Sequence, residues 1–298
     1  MASAKEIQSR INSIQDTMKI TNAMYLIAST KLQKARQELD NTRPYFHALR
    51  GEIKRIFRDV KDVDSHYFYP AQGERPLDGT YGCLVITADK GLAGAYNQNA
   101  IKEALKLLEQ HPDTKLFVVG EYGRRFFASH GIPIEHSFLY TAQNPTMARA
   151  REITALLLDG FDRGELQKIF LVYTDMASAV SFQARSTRLL PFHRAHFADS
   201  DELEQPVTEP FEFLPDVRSV LDSMIPSYVS GFIYSALIDS FCCEQDARMT
   251  AMDSANRNAE KLLGELSLQY NRVRQAAITQ SITEVSAGAR AQRQKNKG

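Results

Sequence analysis

Residues 87–95 form the segment of this sequence that most resembles a catalytic or phosphate-binding loop. The segment reads Thr-Ala-Asp-Lys-Gly-Leu-Ala-Gly-Ala and joins an apolar run to a helical pattern, a position where phosphates often bind. It contains only Gly91 and Gly94, so it has neither the GxGxxG nor the GK[ST] pattern. The pattern favours a structural turn over a nucleotide site, and an exposed Asp89–Lys90 pair over acid–base machinery.

Histidines and cysteines give no complete reactive site. His193 and His196 could supply two ligands of a metal site, but no second pair lies at a typical spacing. Cys83, Cys242 and Cys243 are odd in number and two are adjacent, which excludes a readable disulfide framework and fits a reducing compartment. We therefore expect no catalytic residues, no metal and no cofactor.

The N-terminal region has the periodicity of a coiled-coil helix. Apolar and small residues recur in a 4,3 spacing while the residues between them are largely polar, so one seam of the helix faces a partner helix. Ser3 and Glu6 form a capping box at its start. Pro44 is expected to kink the helix without ending it, and we place the N-terminal helix at residues 1–62. The seam comprises Ile7, Ile11, Ile14, Met18, Thr21, Tyr25, Ala28, Leu32, Ala35 and Leu39.

The middle of the chain changes to short apolar runs separated by helical patterns. The runs lie at 83–88, 115–120 and 168–173, and the helical patterns at about 95–110, 122–130 and 145–162. This alternation predicts an α/β fold with a mainly parallel, Rossmann-like sheet. We assign it to residues 77–210, with residues 180–190 as a further edge strand.

The C-terminal region is predicted to be a second long helix at residues 215–287. Its second half has an approximate heptad, and Asp216 favours a helix start. The fold class is therefore α/β plus a long helical coiled coil. Residues 288–298 form a basic tail, expected either to be disordered or to touch a partner. The basic ends lack interleaved base-stacking aromatic residues, which argues against nucleic-acid binding.

Three motifs resemble the gamma subunit of F-type ATP synthases. The opening 1–11 and 17–24, the turn 89–97 (Asp-Lys-Gly-Leu-Ala-Gly-Ala-Tyr-Asn), and the C-terminal stretches 247–256 and 268–280 match that family in order and spacing over the whole chain. Asn22, Ala93, Leu214 and Ser281 depart from residues that are frequent in the family.

The resemblance implies a rotating central stalk with no catalytic residues of its own. In that family the terminal helices form an antiparallel, left-handed coiled coil inside a hexamer of three alpha and three beta subunits. The stalk also contacts an epsilon subunit and the c ring, and its rotation couples ion flow to nucleotide chemistry on beta. The alternative from the residues alone is a coiled-coil scaffold with a nucleotide-binding α/β domain.

The resemblance also implies contact residues and a location. Met24, Arg274, Gln275 and Thr279 match positions that meet beta subunits, and Phe211 and Phe213 match an aromatic pair near the c ring. The sequence shows no apolar signal core and no stretch of about 20 apolar residues. We therefore expect a peripheral protein at the cytoplasmic face of a bacterial plasma membrane, held there only through the complex.

Overall fold

The computed structural model describes residues 3–60, 65–69, 79–139, 142–178, 181–193, 197 and 212–295. Two helices dominate this part of the chain, and each is far longer than the 10–14 residues of an average globular helix. The elements in chain order are α1 (Ala4–Asp59), β1 (Tyr81–Ile86), α2 (Tyr96–Gln110), β2 (Lys115–Val119), α3 (Glu121–Ser129), β3 (His136–Phe138), α4 (Met147–Asp162), β4 (Lys168–Ser178), β5 (Ser181–Leu190) and α5 (Val217–Lys295).

Both long helices begin at side-chain caps. The Ser3 amide donates to Glu6 Oε2 at 2.9 Å and the Glu6 amide donates to Ser3 Oγ at 3.3 Å, which confirms the predicted capping box. Helix α1 continues through Pro44. At α5 the Ser219 amide donates to Asp216 Oδ1 at 2.9 Å, and Pro215 lies just before the helix. Helix α5 runs past Ala287 to Lys295.

The chain divides into two compact units. One contains Met1–Ile27 and Met249–Gly298, and the other contains Ala28–Arg248. The domain boundaries expected from the sequence remain predictions.

In the first unit, α1 and α5 pack along a seam. On α5 the burial follows a 4,3 spacing, and the Asn256 amide group donates to Asn22 Oδ1 at 2.6 Å and accepts a hydrogen bond from the Thr21 hydroxyl. A 3.5-residue repeat is the periodicity of a left-handed coiled coil. The described seam positions on α5 are Met252, Asn256, Ala259, Leu263, Leu266, Tyr270 and Val273.

In the second unit, the same helices are antiparallel. Lys31 lies near Glu244, and Phe46 packs against Gly231, so residue numbers rise along α1 while they fall along α5. A Cβ atom at Gly231 would overlap the Phe46 ring. Glycine is therefore required where the Phe46 ring of α1 lies against α5.

The second unit also holds a five-stranded sheet within the described residues, in the order β3-β2-β1-β4-β5. The first four strands pair in parallel and β5 pairs antiparallel to β4. The mainly parallel sheet and the edge strand are thus confirmed, whereas the short strand β3 was not predicted. Helices α2 and α3 cover the sheet through a core of the following buried residues: Cys83, Val85, Ile101, Ala104, Leu107, Leu116, Val118, Phe127 and Val172.

None of the helices in the described ranges has an apolar stretch long enough to cross a bilayer.

Candidate partner interfaces

The C-terminal segment of α5, residues 274–290, is exposed at every position. We call this segment the tip. Three of the predicted contact residues lie on it: Arg274, Gln275 and Thr279. The Thr279 hydroxyl donates to the main-chain oxygen of Gln275 at 2.9 Å, so these two side chains stand on one face of the helix.

The tip carries an apolar stripe on the side away from the seam. Ile278, Ile282 and Val285 follow a 4,3 spacing and are 49%, 61% and 73% exposed. Exposing large apolar side chains to water costs free energy. When such side chains recur at helical spacing, they therefore mark a surface that a partner covers. The burial pattern of the seam stops at Val273, and Ala277 is already exposed.

Met24 lies on α1 at a different level of the first unit. It is half-buried, and its neighbours Thr21 and Asn22 bond to Asn256. Asn256 precedes the tip by five helical turns, so Met24 and Arg274 are separated by about 27 Å along the axis. The structure therefore places the predicted beta-contact residues at two levels. It does not bring them into one cluster.

The predicted c-ring contact is described only in part. Phe213 precedes α5 and is half-buried, while Phe211 lies outside the described residues. His193 is described, but His196 lies outside the described residues, so the pair is not seen as a unit.

The turn after β1 is held by a buried asparagine. Asn97 Oδ1 accepts a hydrogen bond from the Ala88 amide at 2.9 Å, and its Nδ2 atom donates to the Lys90 oxygen at 3.5 Å. The turn also packs against α5, because Ala88, Ala93 and Tyr96 cluster with Cys243. These contacts give the glycine-containing motif a structural role in joining the sheet to α5.

Asp89 is not the exposed turn residue that the sequence favoured. Its Oδ1 atom accepts a hydrogen bond from the Glu121 amide at 2.9 Å, and its Oδ2 atom is buried without a hydrogen-bond partner among the described residues. Lys90 is exposed as expected. The physical reason for the difference is that the start of α3 lies over the turn and needs an acceptor for its free amide.

The first turn of α3 has its remaining amides satisfied inside the protein. Tyr122 donates to the Ala88 oxygen at 3.0 Å, Gly123 donates to the Thr87 hydroxyl at 3.0 Å, and Arg124 donates to the Gly120 oxygen at 3.2 Å. Gly120 has a φ of 97°, and a Cβ atom there would overlap Thr87. The amides that bind phosphate in other α/β proteins are thus already bonded at α3.

A cleft of about 850 Å³ lies beside this turn, beyond the carboxyl ends of β1 and β2. Glu121 accepts hydrogen bonds from Arg124 at 2.6 Å and from Arg125 at 2.8 Å. These hydrogen bonds lower the pKa of Glu121 to about 2, and those from Arg124 have the largest effect. The two guanidinium groups are therefore engaged with a carboxylate that stays ionised.

Arg248 joins α5 to the turn, and sequence reasoning did not find this contact. Its Nη2 atom donates to the Gly91 oxygen at 3.1 Å and lies 2.7 Å from Glu244 Oε1. Both side chains are buried. Burial is the main cause that raises the pKa of Glu244; the nearby charge of Asp89 adds to this rise, and Arg248 opposes it. The sequence signal was a charged pair at i,i+4 directly after the apolar run 241–243.

Comparisons with known proteins agree with the fold. The ATP synthase family model matches residues 3–292. The ATP synthase gamma chain of Caldanaerobacter subterraneus subsp. tengcongensis is 40% identical over 292 residues, covering 96% of this chain and 98% of that one. The sodium ion specific gamma chain of Acetobacterium woodii is 36% identical, with 96% and 98% covered.

Solved structures resemble the chain in fold. A chain from the Euglena gracilis mitochondrial ATP synthase, described as OSCP/F1/c-ring, has a TM-score of 0.67 at 16% identity, covering 99% of this chain and 96% of that one. A central stalk/c-ring chain from Tetrahymena thermophila has a TM-score of 0.58 at 23% identity, covering 79% and 99%.

Proposed function

The chain belongs to the family of ATP synthase gamma chains, and from this premise we propose that it turns as the non-catalytic central shaft of the complex. Rotation driven by ion flow through the c ring would move the shaft within the catalytic subunits. The observation that carries this proposal is the tip. It is a fully exposed helix with both polar and apolar side chains, and it continues directly from a packed two-helix seam.

The partners we propose are three alpha and three beta subunits, an epsilon subunit and the c ring. Support comes from the central stalk/c-ring and OSCP/F1/c-ring descriptions of the matching solved structures. We assign beta-subunit contacts to Met24, Arg274, Gln275 and Thr279, and the c-ring contact to Phe211 and Phe213. The bacterial relatives favour a peripheral location at the cytoplasmic face of the plasma membrane.

The mechanism depends on the two sides of the shaft being chemically different. One face of the tip carries Arg274 and Gln275, which offer charged and amide donors, together with Ile282 and Val285, which offer non-directional apolar contact. The opposite face carries Gln280 and Ala287. A catalytic subunit therefore meets a different surface at each angle of rotation. Each angle favours a different conformation of that subunit, and this shifts its nucleotide affinity by a coupling free energy.

The test compares variants in the reconstituted complex. Arg274→Ala and Gln275→Ala are expected to reduce ATP hydrolysis and proton pumping, because contacts with beta are lost. The matched control is Lys261→Ala, another exposed position of α5, which should leave both rates unchanged. Truncation from Gln269 onward should impair coupling more than it disturbs the α/β unit. Normal coupling in the Arg274 and Gln275 variants would overturn their assignment.

A calorimetric titration of the isolated chain with ATP separates this proposal from the nucleotide-binding scaffold. We expect no binding heat, because the β1 turn is filled by Asn97 and the α3 amides are bonded internally. Stoichiometric binding of ATP would favour the scaffold.

A further inference from the structure

The seam between α1 and α5 in the first unit is interrupted by one polar layer. Asn256 is the one amide among the described seam positions of this unit, and its partner across the seam is Thr21 on α1. The Thr21 hydroxyl donates to Asn256 Oδ1, and Asn256 Nδ2 donates to Asn22 Oδ1 at 2.6 Å. We call these three residues the polar layer.

The other layers of this seam consist of apolar, small and tyrosine side chains. In the register that the Thr21–Asn256 contact sets, the 4,3 spacing of the two antiparallel helices aligns these layers one by one. Apolar contact is non-directional, so it holds the helices together without fixing how far one extends past the other. The aligned pairs are Ile7 with Tyr270, Ile11 with Leu266, Ile14 with Leu263, Met18 with Ala259 and Tyr25 with Met252.

A heptad repeat looks the same after a slide of seven residues, which is about 10 Å along the axis. Sliding α5 by one heptad in either direction would place Leu263 or Met249 opposite Thr21. In both of these registers Asn256 would face an apolar or small residue and would lose both of its hydrogen bonds to α1. Within this unit, the polar layer therefore distinguishes the observed alignment from the neighbouring ones.

We propose that the polar layer sets the axial alignment of α1 against α5 in the first unit, with Asn256 as the residue that positions the two helices. A single amide at a seam position of a coiled coil fixes the register at a cost in stability. The alignment also sets the axial distance from Met24 on α1 to Arg274 on α5, and hence the spacing of the proposed beta-subunit contacts. That consequence rests on the proposed function, whereas the alignment itself does not.

Asn256→Leu should change alignment and stability in opposite directions. The Thr21 hydroxyl also donates to the main-chain oxygens of Thr17 and Met18, at 3.2 Å and 3.1 Å, so it keeps its acceptors when Asn256 is replaced. Asn22 is exposed and bonds to water instead. The substitution also places a larger apolar side chain at a half-buried position. We therefore expect the urea midpoint of unfolding to stay the same or rise, while the alignment becomes heterogeneous.

Spin-label distances in the full-length chain measure the alignment. Ser9 on α1 and Ser267 on α5 are exposed. Both are changed to Cys and labelled with a nitroxide, and the distance distribution is recorded by pulsed electron paramagnetic resonance. The native Cys83, Cys242 and Cys243 are buried, and burial raises the pKa of each of these thiols, so the two new thiols react selectively.

The labelled chain with an intact polar layer is expected to give one narrow distance distribution. Asn256→Leu should widen this distribution at least about twofold, because the remaining seam contacts do not fix the register. Asn258→Leu is the matched control, since it makes the same change at an exposed position of α5, and it should leave the distribution narrow. Thr21→Val removes the hydrogen bond from the α1 side and should also widen the distribution.

Exchanging the two polar residues tests whether the hydrogen bond itself fixes the alignment. Thr21→Asn combined with Asn256→Thr returns an amide and a hydroxyl to the same layer, so the narrow distribution should be restored. A narrow distribution in Asn256→Leu, or equal widening in Asn258→Leu, would overturn the proposal. Loss of helix content or a lower urea midpoint in Asn256→Leu would also overturn it, because the widening would then reflect partial unfolding.

These measurements use the chain without its partners, so their outcome is separate from that of the proposed function. A chain that keeps one alignment in Asn256→Leu refutes this inference alone. A chain that fails to join the complex with alpha and beta subunits refutes the proposed function alone.

Discussion

Arg248 on α5 donates a hydrogen bond from Nη2 to the main-chain oxygen of Gly91, at a distance of 3.1 Å. The same guanidinium group pairs with Glu244 at 2.7 Å, with the side chains only 11% and 8% exposed. One residue thus fixes the glycine-containing turn to the long helix and neutralises a buried carboxylate. This contact therefore joins the sheet to α5 within the second unit.

Replacing Arg248 is expected to be costly for folding. Arg248→Ala should lower the free energy of unfolding by about 3–5 kcal/mol, because Glu244 would remain buried without its counter-charge. Urea denaturation of the full-length chain measures this. Arg257→Ala is the matched control, since its pair with Asp253 has the same i,i+4 spacing but is 74% and 47% exposed, so the loss should be below about 1 kcal/mol. Equal losses of unfolding free energy in the two variants would contradict the stabilising role assigned to the buried Arg248–Glu244 pair.

Gly231→Ala should weaken the contact between α1 and α5. The added methyl group overlaps Phe46, so we expect a loss of about 1–3 kcal/mol of unfolding free energy, with partial recovery when Phe46→Leu is added. Gly264→Ala is the control on the same helix. Nothing lies within 4 Å of its Cβ position, so it should be stabilising by about 0.5–1 kcal/mol. A thermal or urea unfolding series compares them, and destabilisation by both would show that helix packing is not the cause.

Asp239 should make stability depend on pH. Burial raises its pKa from 3.8 to about 6, so the folded state binds this proton more tightly than the unfolded chain does. Its stabilising contribution is complete below about pH 3.8 and is lost as the pH rises through about 6. Asp239→Asn should therefore be more stable than the wild type above pH 6, by about 1–2 kcal/mol after allowance for partial exposure.

The difference between Asp239→Asn and the wild type should disappear near pH 4. Unfolding curves at several pH values measure it, with Asp16→Asn as the control at a carboxylate that is 69% exposed. A gain in stability that is independent of pH would exclude titration of Asp239 as the cause.

Ile282→Glu on the tip should separate function from folding. Ile282 is 61% exposed, so the unfolding free energy of the chain should change by no more than about 0.5 kcal/mol. ATP hydrolysis and proton pumping of the complex should fall, because a charge would replace an apolar contact. Leu263→Glu, at a half-buried seam position, should instead destabilise the chain. Full activity of Ile282→Glu would show that the apolar stripe is not part of the proposed contact surface.

Local patterns sufficed for most elements of this fold. The 4,3 spacing from Ile7 and the Ser3–Glu6 box located α1, since a helix start and its apolar seam depend on residues within one or two turns. Continuous apolar runs located β1, β2 and β4 because strands buried on both faces need them. Strand β3 was missed because its three residues, His136–Phe138, are too few to form a pattern.

Contacts between distant residues decided the rest. The pairing of Arg248 with Gly91 and the capping of α3 by Asp89 join residues far apart in sequence, and their spacing has no local signature. Likewise, the residue types of the seam continue to Ala277, yet burial stops at Val273. The sequence by itself determined which faces of the helices are apolar. The tertiary structure decided which of those faces are covered, because burial requires a packing partner and no residue pattern supplies one.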